Sequence, residues 1–127
     1  MTRTKTFQFR LDPATGVPVY RQIIDQVTMA IAAGHLEPGS QLPTVRQVAV
    51  DLAINPNTVI RAYRELEIRN VLSTQQGIGT FVTAKKVKPD EAARQRRLSQ
   101  LAADSAARAG AEGFTIEELI ERLKELG

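Results

Sequence analysis

Residues 55–66 read Asn55-Pro56-Asn57-Thr58-Val59-Ile60-Arg61-Ala62-Tyr63-Arg64-Glu65-Leu66, and no other segment constrains the architecture as tightly. The Asn55 side chain can cap a helix, and Pro56 suits the first helical position because its missing N–H would have no helical partner there. Apolar side chains then recur at helical spacing, at Val59, Ala62, Tyr63 and Leu66. The segment predicts a helix from Asn55 to about Asn70 that buries one face.

The opposite face of this helix is polar and basic. At about 100° per residue, its members are Asn57, Arg61, Arg64 and Ile68, with Thr58 and Ile60 on the flanks. These side chains can contact base edges or phosphates of DNA, and the first turn also offers free N–H groups to a phosphate. Alternatively, the arginines only pair with Glu65 and neighbouring acids on a solvated surface.

Two more helices are predicted before this one. Apolar residues at helical spacing from Tyr20 to Ile31, followed by Gly34, indicate a helix over about residues 18–33. A second, short helix over about residues 44–53 carries Arg46, whose place just after Pro43 favours a DNA contact over a plain surface charge. Residues 7–11 alternate between apolar and polar and indicate a short strand or a docked arm.

A β-hairpin is predicted after the third helix. Residues 71–75 and 80–83 are β-prone, and Gln76-Gly77-Ile78-Gly79 separates them. Turn geometry alone would explain the glycines, but a polar tip at Gln76 and Gly77 could also contact DNA. Three helices followed by a hairpin is the order of a winged helix-turn-helix, so we expect a DNA-binding domain over residues 1–83 with an N-terminal extended arm.

The rest of the chain, residues 84–127, is predicted to be a basic linker and a helical hairpin. One helix ends near Gly110, and Thr115 with Glu118 has the spacing of a capping box at the start of the next. Two such helices cannot bury both apolar faces against each other, so we expect a homodimer. The predicted dimerisation residues are Leu98, Leu101, Ile116, Leu119, Ile120 and Leu123.

Composition excludes several classes of function. The 127 residues include no cysteine and a single histidine, His35, so we expect no metal site, no cofactor and no enzyme activity. No signal-like or membrane-spanning segment is found, which predicts a cytoplasmic protein without a membrane partner. The net charge is +3 overall, +4 over residues 85–97 and −3 over residues 98–127. A weakly basic chain suits a polyanionic partner without proving one.

Four blocks of sequence, in this order and with these gaps, resemble the GntR family of bacterial transcriptional regulators. They are Val19-Tyr20-Arg21-Gln22-Ile23, Leu42-Pro43-Thr44-Val45-Arg46-Gln47-Val48-Ala49, Asn55-Pro56-Asn57-Thr58-Val59 continuing through Arg61 to Glu67, and Gly77-Ile78-Gly79-Thr80-Phe81-Val82. The short two-helix tail and the opening Phe9-Arg10-Leu11-Asp12 look like the YtrA-type subgroup.

The resemblance implies a homodimeric repressor that binds an inverted-repeat operator in double-stranded DNA, in many members beside transporter genes. Positions that match DNA-contacting positions of the family are Arg46, Asn57, Thr58, Arg61, Gln76 and Gly77. Some members carry arginine where this chain has Pro56 and Ile60, so their operator sequences do not transfer.

Two further hypotheses accompany this prediction. The tail could sense an unknown small effector by changing the geometry of the dimer, although nothing in the sequence identifies the ligand. As a rival, the winged helix could be a protein–protein adaptor without sequence-specific DNA binding, for which a neutral or acidic face on the third helix would be expected.

Overall fold

The computed structural model describes residues 7–83 and 90–127. The chain divides into two units, Met1–Lys85 and Lys86–Gly127. The described part of the first unit contains a short 3-10 turn, Pro13–Thr15, followed by α1 (Val19–Ala32), α2 (Val45–Leu52), α3 (Pro56–Ile68), β1 (Leu72–Gln75) and β2 (Gly79–Val82). The second contains α4 (Glu91–Ala111) and α5 (Ile116–Leu126). The predicted fold class, mainly helical with one small hairpin, is confirmed.

Side-chain caps set where the helices begin. The Asn55 carboxamide accepts the N–H of Asn57 at 2.8 Å, and Pro56 takes the first position of α3, as the sequence predicts. Thr115 and Glu118 form the predicted capping box at α5. A second capping box joins Thr44 to Gln47 at α2. These caps satisfy N–H groups that have no partner within their helices.

The core of the first unit lies between α1 and α3. Ile23 and Val27 of α1 and Val59 and Leu66 of α3 are completely buried. The other predicted inward residues of α3, Ala62 and Tyr63, are buried with them. Because one face of α3 is fixed in the core, the opposite face must point to solvent.

The hairpin is held to the rest of the unit by a third segment. β1 and β2 pair antiparallel with Leu72 opposite Val82, and both side chains are buried. Gln41 forms an isolated bridge with Phe81, flanked by a bond of 2.8 Å from the Leu42 N–H to the Thr80 carbonyl. The chain between α1 and α2 therefore pairs with β2 at the edge of the hairpin, a pairing that the sequence analysis did not predict.

Residues 7–12 form a docked arm. They adopt no strand, yet Phe9 is buried in the core. The Gln26 carboxamide of α1 brackets the Arg10 backbone, accepting its N–H at 2.8 Å and donating to its carbonyl. Of the two alternatives drawn from the alternating pattern, the strand is wrong, and these residues lie against α1 as an arm.

The second unit is a helical hairpin with little interior. Ala109 is buried and Leu119 is half-buried, while the Phe114 N–H donates to the Ala109 carbonyl at 2.8 Å where the chain turns. α4 continues through Gly110 to Ala111, close to its predicted end. The other predicted dimerisation residues stay 44–63% exposed: Leu98, Leu101, Ile116, Ile120 and Leu123.

Tyr63 joins α3 to the segment that precedes α2. Its hydroxyl donates to the Pro43 carbonyl at 2.7 Å, and burial raises the pKa of the Tyr63 hydroxyl, which therefore stays protonated at neutral pH. We predict that Tyr63→Phe lowers the free energy of unfolding by about 1–2 kcal/mol, because the carbonyl loses its donor in a buried place. Urea denaturation measures this loss.

Tyr20→Phe is the matched control, since the Tyr20 hydroxyl has no hydrogen-bond partner in the described part of the chain. Equal stability of Tyr63→Phe and Tyr20→Phe would contradict a structural role for the Tyr63 bond.

Candidate nucleic-acid interface

The outward face of α3 carries the predicted contact residues. Asn57, Arg61 and Arg64 are exposed and line one shallow recess together with Ile60, Glu65 and Ile68. Asn57 and Arg61 also border a second recess, which contains the half-buried Thr58. The structure therefore brings four of the predicted residues together on one helix.

Arg46 and the hairpin tip are placed elsewhere on the first unit. Arg46 is exposed on α2 and lines an apolar hollow with Val50, Ile54 and Pro56. Gln76 and Gly77 are exposed in the turn between β1 and β2. A contact with one DNA molecule would thus have to involve three separate parts of the surface: α3, α2 and the hairpin tip.

The acidic side chain on the outward face of α3 already forms an ion pair. Glu65 pairs with Arg69 at 3.2 Å. Within residues 7–83, Arg46, Arg61 and Arg64 form no ion pair. The alternative in which the arginines of this face are neutralised by Glu65 or its neighbours is therefore wrong, and their positive charges remain available to an anionic partner.

Arg61 instead lies against an aromatic ring of α1. Its Cζ atom is 3.7 Å from the centroid of the Tyr20 ring, a cation–π contact. The sequence analysis counted Tyr20 among the apolar residues at helical spacing in α1, and its side chain is half-buried. A tyrosine in the first turn of an amphipathic helix was the signal that could have indicated a position at the edge of the core.

The first turn of α3 offers less to a phosphate than the sequence suggested. The N–H of Asn57 donates to the Asn55 side chain, and that of Thr58 donates to the Asn55 carbonyl at 3.0 Å. Of the two routes left open for Asn57 and Thr58, contact with bases or donation from free N–H groups to a phosphate, the second is therefore wrong for their own N–H groups. Asn57 and Thr58 can contribute through their side chains.

Turn geometry explains both glycines of the hairpin tip. Gly77 has φ +76° and Gly79 has φ +150°, conformations that other residues rarely adopt. A Cβ atom on Gly79 would lie 2.5 Å from Nε2 of Gln41, which donates to the Ile78 carbonyl at 3.3 Å. The contact of Gln76 and Gly77 with DNA stays a prediction.

Residues 7–83 and 90–127 contain no group of three or more histidine, cysteine, aspartate or glutamate side chains that could hold a metal ion. Over the same ranges, no helix combines the length and the apolar character needed to cross a membrane.

Residues 19–82 match the family described as "Bacterial regulatory proteins, gntR family". The chain belongs to the GntR family. It is 36% identical to the HTH-type transcriptional repressor YtrA of Bacillus subtilis over 92% of this chain and 90% of that protein. The predicted membership, including the short YtrA-like subgroup, is confirmed. The chain is accordingly a DNA-binding transcription regulator and not an enzyme.

Two solved structures illustrate the likeness. A transcriptional antiterminator from Listeria monocytogenes aligns with a TM-score of 0.68 and 27% identity over 95% of this chain and 90% of that one. The DNA-binding domain of AraR in complex with operator ORE1 aligns with a TM-score of 0.51 and 27% identity, over 61% of this chain and 94% of that one. The second neighbour is a DNA-binding domain solved in complex with operator DNA.

The hairpin tip yields a stability prediction. We expect Gly79→Ala to destabilise the first unit by about 1–3 kcal/mol, since the backbone is strained for alanine and the Gln41 side chain must move. Gly77→Ala, with a positive φ but open space around its Cβ position, is the matched control and should cost about 1–2 kcal/mol. Thermal unfolding compares the two, and a Gly79→Ala protein as stable as the parent would refute the argument.

Proposed function

We propose that this chain is a homodimeric, sequence-specific repressor that binds an inverted-repeat operator, with α3 of each copy in a major groove. The observation that carries the proposal is the exposed, basic face of α3 at Asn57, Arg61 and Arg64, which forms no ion pair within residues 7–83 and is backed by a buried opposite face. The likeness to a named repressor and to an operator-bound domain supports it.

Each side chain has a role that follows from its chemistry. Arginine donates bidentately to a guanine edge or to a phosphate, which suits Arg61 and Arg64, while Asn57 can pair with an adenine edge. Thr58 at the flank can donate to either partner. We assign Arg46 a contact with a backbone phosphate, because the first helix of a helix-turn-helix crosses the DNA backbone when the second occupies the groove. Specificity then comes from α3, and most of the affinity comes from phosphate neutralisation.

The hairpin tip extends the contact surface. Gln76 and Gly77 form a polar part of the turn, which can follow the minor groove or the sugar-phosphate backbone. The exposed Ile78 beside them leaves the tip uncharged. We therefore assign Gln76 and Gly77 a positioning contact and not a base-reading one.

The tail is the proposed interface with a second copy of the chain. Leu98 and Leu101 on α4, and Ile116, Ile120 and Leu123 on α5, are about half exposed in the isolated hairpin, a large apolar surface for a chain of this size. Leu119 is half-buried within its own hairpin and contributes less. Pairing two tails through this surface would bring two α3 helices to the two half-sites of one operator.

Two finer proposals concern the location of the operator and a binding site for a small effector. Placing the operator beside transporter genes follows only from the resemblance to YtrA-type regulators. A small effector, if the tail takes one, would find a groove of about 420 Å³ between α4 and α5, lined by Ala109, Phe114 and Leu119 together with Arg108 and Arg122.

The rival function, a protein–protein adaptor, is not favoured. An adaptor has no need of free arginines on α3, and the family consists of transcription regulators. An adaptor would keep its full binding to a partner protein after the α3 arginines are replaced.

The base-reading role of α3 is tested with Arg61→Ala. We expect it to lose about 1–3 kcal/mol of discrimination between a selected operator duplex and random-sequence DNA, because a bidentate base contact is removed. Fluorescence anisotropy titrations at fixed salt measure both affinities. Arg21→Ala is the matched control, an exposed arginine on α1 paired with Asp25 at 3.7 Å. An equal loss on both DNAs for Arg61→Ala would show a phosphate contact instead.

The tail dimer is tested with Ile120→Asp, which places a charge on the exposed apolar face of α5. We expect a monomer by sedimentation velocity, with helicity unchanged because Ile120 is 44% exposed within the hairpin, and weaker operator binding. Lys124→Asp puts an acid on the polar face of the same helix and should leave the dimer intact. A dimeric Ile120→Asp protein would rule out this surface.

A further inference from the structure

We propose that Tyr20 of α1 is a positioning residue for DNA recognition, whose ring holds the Arg61 guanidinium in the orientation that contacts DNA. This inference rests on the proposed function of α3. It adds to the recognition machinery a residue from outside the helix-turn-helix, on a helix whose buried face packs against α3.

The geometry of the contact is suited to this role. Arg61 Cζ lies 3.7 Å above the Tyr20 ring centroid, so the cation is held against the face of the ring. A guanidinium is planar and its five N–H donors lie in that plane, so contact of one face with a ring leaves the donors free. In residues 7–83 these donors make no hydrogen bond and no ion pair. The ring therefore restrains Arg61 without consuming what DNA would use.

The ring is itself firmly placed. Tyr20 lies in the first turn of α1 and packs against the buried cluster that includes Ile23, Ile24 and Val59. An unrestrained exposed arginine would lose much of its rotamer freedom on binding DNA, whereas one held by a fixed ring has already lost part of it. Tyr20 thus transmits the rigidity of the core to a side chain on the surface.

The contact also lies in the N-terminal half of α3, beside other residues proposed to contact DNA. Tyr20 and Arg61 border the same recess, of about 410 Å³, as Asn57 and Thr58. Holding Arg61 there places its charge next to the two other side chains proposed to contact DNA. The Tyr20 hydroxyl has no hydrogen-bond partner in the described residues. The face of the ring therefore makes the contact that positions Arg61, and phenylalanine at this position should position Arg61 equally well.

The test is a double-mutant cycle in the full-length chain. Tyr20→Leu and Tyr20→Phe are made with Arg61 intact and with Arg61→Ala, and each protein is titrated against the operator duplex selected by the parent protein. We expect Tyr20→Leu to weaken binding about three- to tenfold, the range of a partly exposed cation–π contact, and Tyr20→Phe to bind within about twofold of the parent. In the Arg61→Ala background, Tyr20→Leu should have no further effect.

A second measurement on the free proteins separates positioning from folding. The Arg61 side-chain protons should show a ring-current shift by NMR in the parent and in Tyr20→Phe, and lose it in Tyr20→Leu, whose amide spectrum otherwise stays that of the folded chain. Loss of folding in Tyr20→Leu together with weak binding by Tyr20→Phe would assign the residue a structural role and overturn the proposal.

The remaining outcomes are distinct. An equal effect of Tyr20→Leu with and without Arg61 would show that the ring does not act through Arg61, and tighter binding by Tyr20→Leu would show that the ring withholds Arg61 from DNA. Either result overturns this inference while leaving the proposed function standing. If the parent protein selects no duplex at all, the proposed function fails and the role of Tyr20 fails with it.

Discussion

The structure depends on the burial of the inner face of α3 against α1. Val59 and Leu66 are completely buried against a core that contains Ile23 and Val27. Burying each such side chain is worth about 1.5–3 kcal/mol, so rotating α3 to expose them would remove a large part of the marginal stability of a small domain. The orientation of α3 is therefore fixed by hydrophobic packing, and the basic face has only one direction to point.

Polar contacts refine what the core establishes. The Tyr63 hydroxyl ties α3 to the Pro43 carbonyl just before α2, which links the two helices of the helix-turn-helix. Leu42, next in the same segment, bonds to the Thr80 carbonyl and so anchors the hairpin. Residues 42 and 43 thus connect α2, α3 and the hairpin, the three parts of the surface that carry the proposed DNA contacts. Their relative placement is determined by a short stretch of backbone.

Much of this could be predicted from the sequence, because the signals are local. Asn55-Pro56 indicates where α3 begins, the apolar spacing from Val59 to Leu66 indicates which face is buried, and two glycines indicate the hairpin turn. The features that were missed join distant residues. A single bridge at Gln41 has no period that a sequence shows, and the contact of Arg61 with Tyr20 depends on how α1 and α3 pack. The bond of the Asn57 N–H follows from the predicted Asn55 cap, whereas the bond of the Thr58 N–H to the Asn55 carbonyl was missed because it depends on the backbone geometry of the cap.

The central claim, that paired α3 helices read DNA, is tested most directly by selecting a random double-stranded DNA library on the full-length protein at moderate salt and sequencing the bound pool. The account predicts enrichment of an inverted repeat whose half-sites lie about one helical turn, or a multiple of it, apart. Bound DNA without any enriched sequence, released uniformly as salt rises, would contradict it, because phosphate attraction alone would then account for the binding.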